Sequence, residues 1–441
     1  GVVKQARCLA SPLTGPSVED IALDSDLRTV ALMNLGTAEA WSLGLPDAER
    51  HLREGAALAR ETGRPYLEVG CLAQLGFAQI FHDAARPKAD AFATTQRRCR
   101  EAVTLAERYG WGTEPVIAPA LMTLAGTMVL LGEFDEGERW LRRTERALRT
   151  DSGPDVRLLL HQTAGMLHAG RGRRHAALRE FGAAEVLASR LAGSQALASQ
   201  MTGWRLATQA RLGLPGEARA ALAALAEERA RAGEIRNARA AICLAEGDPA
   251  GALAAVADVL GGEAPVLGYV TVVEAHLLAG LAHHELGDQR AANQAAERAL
   301  ALAESDRLVL PFAMTGSAGL LEALPRHQTA HAALRADILD VLRGASPAAA
   351  ERSSLPAGDE LSPGELRVLR YLPTNLSRPE IAGELSVSLN TVSTHLRSIY
   401  AKLQVRDRSS AVQRARELRL LAARASRRPP DPGDARSPAR P

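Results

Sequence analysis

Residues 377–403, "SRPEIAGELSVSLNTVSTHLRSIYAKL", place Asn390, Thr394, Arg397 and Ala401 at i, i+4, i+7 and i+11, one face of a helix, with Ser393 on its flank. Val392, Leu396, Ile399 and Leu403 repeat that spacing two residues on, about 200° around the helix, and form an apolar stripe that must face an interior. Short amide and hydroxyl side chains with a guanidinium, near the amino end of a helix, are the groups that reach base edges in a major groove. Lys402, Arg406, Arg408 and Arg378 stand where they could flank that face and touch phosphates.

Such a face works only if neighbouring helices hold it. "SPGE" supplies Ser362 as N-cap, Pro363 at the first helical position and Glu365 to close a capping box, and "SRPE" repeats the device with Ser377 and Glu380. The first box predicts a helix to about residue 372, and the second a helix through Ile381, Ala382 and Leu385. After a turn of three or four residues, Ser388 caps a third helix to about Leu403, and "SSAVQRARELRLLAA" gives a fourth. From 361 to 424 there are 11 basic and 5 acidic residues, a net of +6, and from 425 to 441 there are 4 and 2, a net of +2. The whole chain has 53 and 51, which leaves 38 basic and 44 acidic residues before 361, a net of −6. A small basic module joined to a larger, mildly acidic region predicts a polyanionic partner for the module alone.

Residues 361–418 are similar to the LuxR-type, or GerE-type, four-helix DNA-binding domain. The resemblance runs through Leu361, Glu365, Val368 and Leu369, then Leu376, Ser377, Glu380, Ile381 and Ala382, then Leu385 and Ser388. It continues through Thr391, Val392, Thr394, His395, Ile399, Lys402 and Leu403 to Val405, Arg408, Ala411 and Val412. It implies base reading by Ser393, Thr394 and Arg397, phosphate contacts near Ser388 and Lys402, and a dimer contact on the last helix. With Asn390 from the helix wheel, the expected set for double-stranded DNA is Ser388, Asn390, Ser393, Thr394, Arg397 and Lys402. The chain departs from the family at Gly364, Ser393 and Gln404, where Arg or a similar residue, Lys and Gly are usual.

At 441 residues, with 46% hydrophobic but only 3% aromatic residues, the chain is expected to be all-α, with room for several domains. "LGLPDAE", "LGEFDEGE", "AGRGRRHA", "LGLPGEA", "EGDPAGA" and "LGDQRAA" recur with glycines at 44, 132, 170, 213, 247 and 287. The intervals are 88, 38, 43, 34 and 40 residues, 88 being two units with one degenerate between them. Each glycine can end one helix in a left-handed C-cap, and the next helix carries small residues such as Ala48 or Ala218 for close crossing. The pattern resembles tetratricopeptide repeats and predicts a stacked helical-hairpin solenoid. The expected division is a repeat sensor or interaction region at 1–343, a linker at 344–360, the module at 361–424 and a disordered Pro/Arg-rich tail at 425–441. Cys8, Cys71, Cys99 and Cys243 lack C-x-x-C pairing and read as buried free thiols. The opening residues lack the charged-then-apolar order of a secretion signal, and no apolar run reaches spanning length. A soluble, cytoplasmic protein without a membrane partner is expected.

A LuxR-type domain behind such an array is similar to the large MalT-like regulators, in which a nucleotide-binding domain precedes the repeats. No glycine precedes Lys4, Lys88 or Lys402, so no phosphate-cradling G-K loop is present in these residues. The chain opens on Gly1, and it is expected either to have lost that domain or to be a carboxyl-terminal piece of a longer protein. "HHELGD" at 283–288 reads as the polar end of a helix rather than a metal site, and "TGSAG" at 315–319 is not a nucleophile elbow. No enzyme, cofactor or metal is expected. The reading is a transcription regulator, an activator by resemblance, that dimerises through its last helix and receives a ligand or protein at its repeats. The alternative is a helical-repeat scaffold with a degenerate DNA-binding module.

Overall fold

The computed structural model describes residues 24–85, 91–148, 154–188, 195–325, 329–344, 361–374, 376–385, 387–417 and 420–421. All regular structure among them is helical. Antiparallel pairs follow one another: α1 (Ser25–Trp41) with α2 (Leu45–Glu61), α3 (Pro65–Ala85) with α4 (Ala91–Arg108), and α5 (Ala118–Leu130) with α6 (Phe134–Ala147). Next come α7 (Pro154–Gly170) with α8 (Arg174–Ala188) and α9 (Gln195–Arg211) with α10 (Pro215–Ala223). After the short α11 (Glu227–Ala230), α12 (Gly233–Ala245) pairs with α13 (Pro249–Gly261) and α14 (Tyr269–Glu285) with α15 (Gln289–Glu304). This is the helical-hairpin, tetratricopeptide-like solenoid, and the pair α3–α4 is the degenerate unit between Gly44 and Gly132.

One local rule builds most of these hairpins. A residue in the left-handed region ends the first helix, and five positions on stands a small buried residue at the crossing: Gly132 and Gly137, Gly213 and Ala218, Gly247 and Ala252, Gly287 and Ala292. Asp248 and Asp288 then cap the second helix, their carboxylates accepting from Gly251 N at 2.8 Å and Ala291 N at 2.9 Å. Two of the expected glycines do not hold the left-handed position. Gly44 lies at φ −79°, and the preceding Leu43 turns instead at φ 60°, with its side chain exposed. Gly170 is the last residue of α7, packed against the Phe134 ring where a Cβ would collide, and Gly172 makes the turn at φ 71°. With the register so corrected, Leu43 with Ala48 and Gly172 with Ala177 obey the same rule, and both alanines are fully buried.

The array curls over its own continuation. α16 (Leu310–Thr315), α17 (Ala318–Ala323) and α18 (Ala332–Leu342) follow the last pair. Val309 N donates to Leu130 O at 3.0 Å, far back along the chain. The Asp306 carboxylate accepts from Phe92 N at 3.3 Å and the Tyr269 hydroxyl at 2.7 Å. Leu310 and Phe312 are buried in one core with Phe134, Phe181 and Leu277. Cys71, Cys99 and Cys243 are buried free thiols, and burial pushes those of Cys71 and Cys99 up to about 12. Cys8, most of the expected linker and the expected tail lie outside the described residues. No helix among the described residues is long and apolar enough to cross a membrane.

The basic module has four helices, α19 (Pro363–Tyr371), α20 (Arg378–Glu384), α21 (Leu389–Lys402) and α22 (Arg408–Glu417). Its core contains Val368, Leu369, Ile381, Val392, Leu396, Ile399, Leu403, Ala411 and Ala415. It also touches the array: Ala332 of α18 packs against that core, and Asp337 pairs with both Arg307 and Arg370 of α19.

Ala218 is fully sealed among Leu206, Ala210, Ala238 and Ile242. Ala218→Arg, which buries a charge or forces the helices apart, is expected to lower stability by about 3–5 kcal/mol, read by chemical denaturation of the whole chain. An unchanged midpoint would overturn the assigned crossing.

Candidate nucleic-acid interface

The helix that carries the polar face starts where its sequence says it should. The Ser388 hydroxyl accepts from Thr391 N at 3.0 Å, and helix α21 runs from the next residue. Ahead of it, Ser377 N donates to the Glu380 carboxylate at 2.7 Å and starts α20. Val392, Leu396, Ile399 and Leu403 are all buried, which fixes the rotation of α21. Asn390, Thr394, Arg397 and Ala401 therefore face outward and are exposed, Ser393 is half-buried on the flank, and Ser388 is exposed at the amino end. Beside them Val387, ahead of the helix, and Leu389, its first residue, are exposed apolar groups that belong to neither the polar face nor the apolar stripe.

Two of the expected phosphate contacts have partners inside the module. Lys402 Nζ donates to Glu365 Oε2 at 2.8 Å, joining the end of α21 to the start of α19. Glu365 also accepts from Ser362 N at 2.6 Å while its own N–H donates to the Ser362 hydroxyl at 3.3 Å, the complete capping box. Burial pushes the Glu365 carboxyl up, but Lys402, the Ser398 hydroxyl and Ser362 N outweigh it and hold it at about 2. The Arg408 guanidinium donates to the carbonyls of Leu376 at 2.6 Å, Thr374 at 2.8 Å, Leu372 at 2.9 Å and Tyr371 at 3.0 Å. It thereby fastens α22 to the end of α19 and the loop after it. Arg378 and Arg406 are exposed.

The departures from the resembled family have local readings. Gln404 follows α21 at φ 56°, a left-handed position that favours glycine. A Cβ on Gly364 would lie 3.1 Å from His395 Cε1, so the small residue gives the imidazole room beside α19. Ser393 leaves the flank of the polar face without a charge. His283 and His284 end α14 ahead of Gly287, and His284 Nδ1 lies 3.2 Å from Gln289 Oε1.

Two measurements test this framework. Gln404→Gly removes the strain of a side chain at positive φ and is expected to raise stability by about 1 kcal/mol, read from the denaturation midpoint. Glu365 is held well below its unfolded value of about 4.3, so its contribution is complete above that pH and is lost as pH falls toward 2. Acid titration should therefore remove up to about 3 kcal/mol between those limits, and Glu365→Gln should flatten that part of the profile.

The bacterial regulatory proteins, luxR family, match residues 359–415. The HTH-type transcriptional regulator MalT of Serratia proteamaculans (strain 568) is 43% identical over 58 residues, which are 13% of this chain and 6% of that protein's length. A tetratricopeptide repeat protein from Parabacteroides merdae ATCC 43184 has 15% identity and a TM-score of 0.39, over 65% of this chain and 99% of its own. At that score the likeness is loose, and the solenoid stands on the helix pairs alone. The family's match covers α19, α20, α21 and most of α22, so the carboxyl-terminal module of this chain is a luxR-type helix-turn-helix domain.

Proposed function

We propose that the chain is a sequence-specific DNA-binding regulator of transcription. The observation that carries this reading is the outward face of α21, where Asn390, Thr394 and Arg397 are exposed on a helix whose opposite side is locked into a core. In this reading Asn390, Ser393, Thr394 and Arg397 read base edges, Leu389 and Val387 meet thymine methyls, and Ser388 and Lys402 lie against phosphates. Lys402 would then serve two masters, Glu365 and the backbone, so part of its charge is already neutralised within the module. The luxR-family match and the module's net charge of +6 support a DNA partner. The last helix, α22, joins two copies, the repeat region receives a ligand or protein signal, and control is positive, as the resemblance implies. Domain limits at 343, 360 and 424 belong to the same proposal.

The test separates base reading from general attraction. Arg397 is exposed, so Arg397→Ala should leave stability unchanged. In gel shifts of the full chain it should cost about 1–3 kcal/mol on a preferred operator and little on random DNA. Equal losses on both would make Arg397 a phosphate contact, and no retardation of any promoter fragment by the unaltered chain would overturn the proposal.

A further inference from the structure

Three first helices of successive hairpins, α9, α12 and α14, lie side by side and line, with Arg174 at the start of α8 and the end of α16, a partly open cavity of about 450 Å³. That space suits a small organic molecule. Because these helices run parallel, their numbering rises together along the cavity. Trp204, Asn237 and Glu274 fall toward one end, and Arg211, Leu244 and Glu285 toward the other.

The first end is acidic and amide-lined. Glu274 is 6% exposed and accepts from Trp204 Nε1 at 3.0 Å. Glu234 beside it is equally buried, but one of its oxygens already accepts from Leu267 N at 2.7 Å and the Thr271 hydroxyl at 2.9 Å. Neither carboxyl has an ion-pair partner among the described residues, and buried carboxylates are ordinarily paired. Asn237 is 4% exposed; its Nδ2 donates to Thr271 O at 2.8 Å, its amide is also a hydrogen-bond partner of Glu274, and its Oδ1 is buried with no donor of its own. Burial above all, with Glu234 adding to it, pushes the Glu274 carboxyl up to about 8.

The second end is basic. The Arg211 guanidinium donates to the carbonyls of Met314 and Ala313 at the end of α16. It passes over Gly316, where a Cβ would collide with it and φ is 72°. Burial, followed by the charge of Arg174, lowers Arg211 to about 10. Glu285, exposed, is the acid that lines this end. Ala207, Ala241 and Leu278 form apolar wall between the two ends. Along α9 the step from Trp204 to Arg211 is two helical turns, about 10 Å.

We propose that this cavity binds a linear zwitterion, its ammonium group at Glu274 and Asn237, its carboxylate at Arg174 and Arg211, and an apolar chain between them. The ammonium donates to the Glu274 carboxylate and to Asn237 Oδ1, supplying the cation that the buried carboxylate lacks. An α-amino acid, with both charges on one carbon, cannot reach both ends. The inference rests on the proposal that the repeat region receives a signal, and gives that signal a chemistry.

Isothermal titration of the full chain with 8-aminooctanoate, which carries its two charges at opposite ends of an extended alkyl chain, tests it, with octanoate, octylammonium and 4-aminobutyrate as comparisons. The expected result is binding at least about tenfold tighter for 8-aminooctanoate than for any comparison. Glu274→Gln, whose amide oxygen still accepts from Trp204, and Arg174→Ala should each lose about tenfold with an unchanged melting temperature. No binding up to about 10 mM, equal binding of octylammonium, or wild-type affinity in both variants would overturn the inference. Gel shifts on the same preparation keep the two readings apart. DNA retardation without zwitterion binding sinks this inference alone, and zwitterion binding without retardation supports it while sinking the regulator proposal.

Discussion

Close approach of helix backbones is the constraint on which this molecule depends. With only 3% aromatic residues, the chain cannot fill wide spaces between helices with large rings. It brings the helices together instead, by placing alanine or glycine at most hairpin crossings five residues after a left-handed turn. Each crossing buries little area by itself, so stability comes from stacking pair on pair. Tight stacking also sets the curvature, and the curvature decides what the concave side can hold: here residues 306–324 and, next to them, a cavity between parallel inner helices.

The module solves a different problem, since it must keep a polar helix face outward on a core of few residues. Two cations act as internal ties. Arg408 satisfies carbonyls at and after the end of α19 that would otherwise be left over where the helix stops. Lys402 meets Glu365, so the residue that closes the capping box of α19 is bonded to the end of α21 as well. A basic module is therefore less basic at its surface than its composition states. The outward charge on α21 falls largely to Arg397, because Ser393 stands where the family usually has Lys.

Periodicity made the apolar stripe of α21 legible, because a helix wheel depends only on local geometry, and all its members are buried. Capping residues located the starts of α19, α20 and α21 for the same reason. Recurring glycines revealed the hairpins, yet two of them misplaced the turn by one or two residues. Leu43, not a glycine, holds the positive-φ turn before Gly44, and Gly170 is small to admit Phe134 rather than to turn. Long-range pairings left no such trace. Nothing near Lys402 announces Glu365, 37 residues away, and nothing near Val309 announces Leu130. The contact of Asp337 with Arg370 was equally hidden, since composition had marked the stretch between them only as a linker.

The bond from Val309 to Leu130 also bears on how the array comes apart. An open solenoid unfolds by fraying, since each unit touches only its neighbours and an end can peel away without disturbing the middle. Here the segment after the last hairpin is bonded to the third, and its Phe312 shares a core with α6, α8 and α14. The stretch between those ties is a closed loop in which no unit is terminal. Its melting should be a single cooperative event rather than a graded one, and its assembly must wait for a contact between residues far apart in the chain.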